Sequence, residues 1–186
     1  MLRNRADRYG LLAMTLHWLV AVLVASLFSL GLWMVNLTYY DAWYRSAPAI
    51  HKGTGVLLCL ILIARLAWRR LSPPPPPLAS HAAWERQAAT AAHRLLYGLL
   101  FAVMLSGYLI STADGRPIEV FGLFRVPATL SGLPNQADLA GRVHLWLAIG
   151  LVSLAGLHAL AALKHQFIDR DGTLSRMLGR PPRPPA

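Results

Sequence analysis

The chain has 186 residues, of which 55% are hydrophobic and only 14% charged, with 18 Lys and Arg against 8 Asp and Glu. This is too apolar for an ordinary soluble domain and fits one compact membrane unit. A net charge of +10 raises nucleic acid as a partner, but the basic residues sit at the ends of apolar runs and form no patch with interleaved aromatics, so no nucleic-acid role is expected. One cysteine, Cys59, rules out an internal disulfide, a Cys-ligated iron–sulfur cluster and thioether-attached haem.

The first apolar run, 11–35, follows Arg3, Arg5 and Arg8. It is too long for a signal-peptide core and carries His17, so it reads as a retained span. A Trp- and Tyr-rich loop of interfacial character leads to a second span over 50–68, where Lys52 and Arg65 extend a short uncharged core by turning their charges outward. Pro73 to Pro77 form a stiff linker that no helix continues through. A third span is expected over 92–113. Residues 114–141 form the longest loop, broken by Gly115, Pro117, Pro127, Gly132 and Pro134. The fourth span covers 142–164, and a Pro- and Arg-rich tail over 178–186 is expected to be disordered.

The expected fold class is therefore all-α, a four-transmembrane-helix bundle forming a single membrane domain in contact with lipid. Of the 18 Lys and Arg, only Arg45, Lys52, Arg116, Arg125 and Arg142 fall on the side away from the termini. By the positive-inside rule both termini are cytoplasmic.

Polar ring nitrogens are costly inside a bilayer unless they pair, line water or bind something. His144 and His158 stand fourteen residues apart in the fourth span, so they leave nearly the same helix face about 21 Å apart along the axis. His17 lies at the depth of His158, and His51 at the depth of His144. Histidines facing each other at matched depths suit bis-imidazole ligation of haem iron, and two such levels make room for two haems. Depth alone leaves His93 competing with His17 and His158 at the inner level. Fourteen residues beyond His17 is Gly31, and fourteen beyond His93 is Gly107; with Gly55 they leave room for a flat macrocycle. Arg65 is placed to bind a haem propionate in bidentate fashion. His93 and His165 are also candidates for a quinone head-group site, and His81 is expected to be solvated in its loop.

Tyr9, the Leu16-His17-Trp18 run, His51-x-x-x-Gly55, Arg65 and the His144 to His158 pair together resemble the bacterial cytochrome b561 family over roughly residues 8–178. The likeness is to its small stand-alone di-haem inner-membrane cytochromes, including the superoxide:ubiquinone oxidoreductase (superoxide oxidase) type. The resemblance implies two non-covalent b-type haems, one ligated by His17 and His158 on the cytoplasmic side and one by His51 and His144 on the periplasmic side, with His93 outside the ligand set. It also implies electron transfer across the inner membrane, from periplasmic superoxide to ubiquinone. Similar b-type subunits of hydrogenases and formate dehydrogenases keep a second reading open, transfer between quinol and a periplasmic redox protein. A third is a non-redox transporter or scaffold with histidines as proton relays.

Overall fold

The computed structural model describes residues 1–78 and 80–180. Among the described residues, four helices are long and apolar enough to cross a membrane: α1 (Leu11–Met34), α2 (Ser46–Leu71), α3 (Ala83–Thr112) and α4 (Gln136–Phe167). Strands β1 (Ile118–Val120) and β2 (Phe124–Val126) lie between α3 and α4, and a short helix α5 (Thr173–Met177) follows α4. The helical class and the four spans match the sequence reading.

Three of the helices run past the apolar windows that reveal them. α3 begins nine residues before the expected span because Trp84 to Ala92 is rich in good helix formers. Its start is fixed by Glu85, whose Oε2 accepts from the Ala82 backbone N–H at 2.9 Å, half of a capping box. α2 starts at Ser46 and tolerates Pro48 in its first turn, where no intrahelical partner for the N–H is needed. It stops at Leu71, just short of Ser72, which Pro73 biases toward extended backbone.

The chain divides into two compact units. The first comprises Met1–Val20, Ile61–Leu96 and Ser153–Ala186. Within it the N-terminal segment is tied to the end of α2: the Asn4 backbone N–H donates to Ser72 Oγ at 2.9 Å, and the Asn4 amide donates to the carbonyls of Ser72 and Pro73. Arg176 of α5 is buried and donates to the carbonyls of Asp7, Ala6 and Pro76. The segment after α4 is thus folded as far as Arg180, contrary to the expected disorder from residue 178. Three backbone carbonyls with no helical or strand partner receive one guanidinium, which orders what composition alone marks as loose. Residues 181–186 of the tail lie outside the described residues.

The second unit comprises Ala21–Leu60 and Tyr97–Val152. Its buried apolar residues include Ala47, Leu58, Leu100, Ile118, Val120, Ala140 and Leu151. The stretch expected as a plain loop contains an antiparallel hairpin, with Ile118 opposite Val126 and Val120 opposite Phe124. Its turn carries positive φ at Phe121 (50°) and Gly122 (73°). The strain at Phe121 is offset by seating its ring against α2, where a Cβ on Gly53 would come within 2.9 Å of Phe121 Cε2. Buried Gln136 at the start of α4 donates to the carbonyls of Leu109 and Leu130 and accepts from the Leu133 N–H, which anchors the rest of the connection.

Candidate functional site

In the second unit α2 presents His51 and α4 presents His144, with ring centres 6.2 Å apart and planes at 70°. The orientation of His144 is set by α3: its Nδ1 lies 2.9 Å from the Val103 carbonyl and 3.1 Å from Ser106 Oγ. Ser106 gives its own hydroxyl proton to the same Val103 carbonyl at 2.8 Å. Two acceptors therefore face Nδ1, which holds the proton there and leaves Nε2 with a free lone pair. His51 Nδ1 is buried with no hydrogen-bond partner among the described residues. An orphaned imidazole nitrogen beside a second imidazole is a donor set lacking its acceptor.

Two glycines make this pairing possible. A Cβ on Gly31 of α1 would stand 3.3 Å from His51 Cε1, and one on Gly107 of α3 would stand 3.2 Å from His144 Cε1. The sequence spacing places side-chain-free positions at this level, as found, but what they receive is the edge of each histidine ring. Beside Gly55 a Cβ would meet nothing within 4 Å. Two metal–nitrogen bonds of about 2.0 Å and two centre-to-nitrogen distances of about 1.1 Å span ~6.2 Å, so the His51–His144 separation suits a shared iron.

The first unit holds a denser group. Arg65 of α2 donates from Nη2 to His17 Nδ1 at 2.9 Å. His158 of α4 has its ring 5.1 Å from that of His93 of α3, planes at 66°, about 1 Å less than two imidazoles spanning one metal. The structure thus brings His17 to Arg65 and His158 to His93. Trp68, three residues after Arg65 and on the same face of α2, has a buried Nε1–H with no partner among the described residues. A guanidinium and an orphaned indole donor on one face suit a carboxylate such as a haem propionate. The sequence reading missed Trp68, and its i, i+3 spacing from Arg65 is the signal that identifies it. Trp18, named in the sequence reading as part of the Leu16-His17-Trp18 run, sets its ring edge-on to that of His17 at 5.2 Å while its Nε1–H donates to the Met177 carbonyl.

His81 is not solvated. Its side chain is 16% exposed and its Nε2 lies 2.8 Å from Asp171 Oδ2. His165 Nδ1 lies 2.7 Å from Asp169 Oδ2 and 3.3 Å from Asp171 Oδ2. Hydrogen bonds and charge from Lys164 and His165 hold the Asp169 carboxyl below the usual range. At Asp171 burial raises the pKa, but hydrogen bonds from Thr173 and His81 outweigh it and the net shift is downward.

Residues 8–180 match the family described as prokaryotic cytochrome b561. The chain belongs to that family. As a cytochrome b561 it is a multi-pass inner-membrane protein of electron transfer that binds b-type haem, and the His51–His144 separation fits such a ligand. It is 55% identical to cytochrome b561 homolog 2 of Escherichia coli (strain K12), over 95% of this chain and 94% of that one. It is 30% identical to a probable superoxide oxidase, CybB, of Yersinia pestis, over 92% and 96% of the two chains. Cytochrome b561 homolog 1 of the same E. coli strain is 26% identical over 94% and 98%.

Proposed function

We propose that this cytochrome b561 oxidises superoxide on the periplasmic side and reduces ubiquinone in the inner membrane, holding two b-type haems and keeping both termini in the cytoplasm. His51 and His144 would hold one haem and His17 and His158 the other, with Arg65 and Trp68 toward a propionate. Haem held by these residues would supply reversible one-electron transfer. The observation that carries the reading is the His51–His144 pair, 6.2 Å apart with an orphaned nitrogen on one ring and a fixed tautomer on the other. The residues do the orienting: Val103 and Ser106 hold the His144 proton on Nδ1, and Gly31 and Gly107 admit the two rings.

Superoxide as donor is supported by the charge left over near that pair. Arg116 is paired with Asp114 and Arg125 with Glu119, whereas Arg45, Lys52 and Arg142 are exposed and make no ion pair among the described residues. Lys52 follows His51 directly and Arg142 precedes His144 by two, so two of these cations stand within two residues of the proposed ligands and would draw in a small anion. His93 is the candidate proton donor to a quinone head group, while His165 is engaged by two carboxylates. The decisive experiment mixes the purified protein with superoxide and ubiquinone. Quinone reduction above the spontaneous rate is expected, slowed at low ionic strength by K52E/R142E; no reduction above that rate overturns the proposal.

A second reading, transfer between quinol and a periplasmic redox protein, is favoured by the exposed apolar side chains of the hairpin, Phe121, Leu123 and Phe124. It predicts a protein inert toward superoxide that is re-oxidised or reduced by a partner docking on that hairpin.

A further inference from the structure

His81, His165 and Asp171 come from three separate parts of the first unit: the connection between α2 and α3, the last turn of α4, and the connection between α4 and α5. None of them belongs to the proposed haem-ligand pairs. Their ligand atoms all lie within 4.8 Å of one another. His81 Nε2 is 2.8 Å and His165 Nδ1 is 3.3 Å from the same oxygen, Asp171 Oδ2, and the two rings sit 4.4 Å apart, tilted by 31°. Ligand atoms around a tetrahedral ion with bonds of about 2.0–2.1 Å are roughly 3.3 Å apart, so these three need only small shifts to enclose one.

The surroundings are those of a held ligand set. Asp171 Oδ1 accepts from the Thr173 backbone N–H at 2.8 Å, which turns Oδ2 toward the imidazoles. Its side chain is 5% exposed, and those of His81 and His165 are 16% and 15% exposed. Asp169 Oδ2, 2.7 Å from His165 Nδ1, is taken by Lys164 at 2.7 Å and groups with Glu85 instead, so the three ligands would leave a fourth position to water. Two neutral imidazoles and one carboxylate make a mixed set of nitrogen and oxygen donors, which suits zinc and its neighbours over calcium or magnesium.

We propose that His81, His165 and Asp171 bind one divalent first-row transition-metal ion that ties the segment after α4 to the connection between α2 and α3. The full-length, haem-loaded protein is freed of metal with a chelator and dialysed against zinc chloride, and zinc per chain is counted by mass spectrometry. One zinc per chain is expected, with at least tenfold weaker binding in H81Q and D171N and unchanged binding in E85Q. Glu85 Oε1 lies near His165 and Asp169 but is taken by Lys164 at 3.0 Å. On the unaltered protein, zinc is expected to protect His81 and His165 from diethyl pyrocarbonate, read peptide by peptide. Absence of bound zinc, equal binding in D171N, loss in E85Q alone, or no protection of the two histidines would each overturn the site. The haem count is measured in the same samples and does not enter this comparison.

Discussion

The two histidine groups differ in how each is held. His51 and His144 stand alone in their unit, each backed by a glycine, with one ring fixed through the backbone of α3. His17, His93 and His158 share theirs with Arg65 and Trp68, so cations, aromatic rings and spare donors compete for the same space. A pair backed by glycines, a carbonyl and one hydroxyl leaves few groups to compete for its rings. A crowded group needs its ligands chosen by more than proximity, because the shortest ring contact, His93 to His158, is also the one too close to share an iron.

The largest effect that tests this contrast is on haem content. H51A or H144A should remove about half of the haem measured per chain by pyridine haemochrome, and H17A or H158A the other half, while H93A should retain both. Loss of a haem in H93A with retention in H17A would reassign the crowded group and leave the isolated pair untouched. The next effect is steric. Gly107→Val places branched carbons where a single Cβ already stands 3.2 Å from His144, so it should strip the haem of that pair as completely as H144A, whereas Gly55→Ala, facing open space, should cost less than about 1 kcal/mol in a membrane helix that tolerates small residues.

A smaller effect separates the units by stability. Arg176→Ala removes a buried guanidinium from three carbonyls in the first unit and should cost about 2–4 kcal/mol there, since charged hydrogen bonds contribute about 1.5–3 kcal/mol each and not additively. Thermal unfolding should shift down, with the H51–H144 haem the last to be released. The smallest effect lies in the second unit at Asp41, whose carboxyl is held below its usual pKa by the Thr38 backbone N–H at 2.7 Å and the Thr38 hydroxyl at 2.8 Å. A depressed carboxylate stabilises above its ordinary pKa of about 3.9 and loses that contribution as pH falls through the folded value. Acidification should therefore open the 38–41 turn first, and Thr38→Ala should move the Asp41 titration upward when followed by carboxyl carbon NMR.

Much of the site was legible without coordinates because helical periodicity is a local property. Fourteen residues return a side chain to nearly the same face, so His144 and His158, His17 and Gly31, and His93 and Gly107 declare their levels from spacing alone, and apolar length declares four spans. What spacing cannot encode is which ring nitrogen meets which neighbour on another helix. The Val103 carbonyl behind His144, the Arg65–His17 contact and the burial of His81 beside Asp171 join residues 41, 48 and 90 positions apart. The order of the segment around Arg176 is of the same kind, since its carbonyl partners lie 100 to 170 residues away and its composition reads as loose. Periodicity along one helix is written in the chain. The meeting of polar groups between segments is decided only when burial forces each donor to find an acceptor.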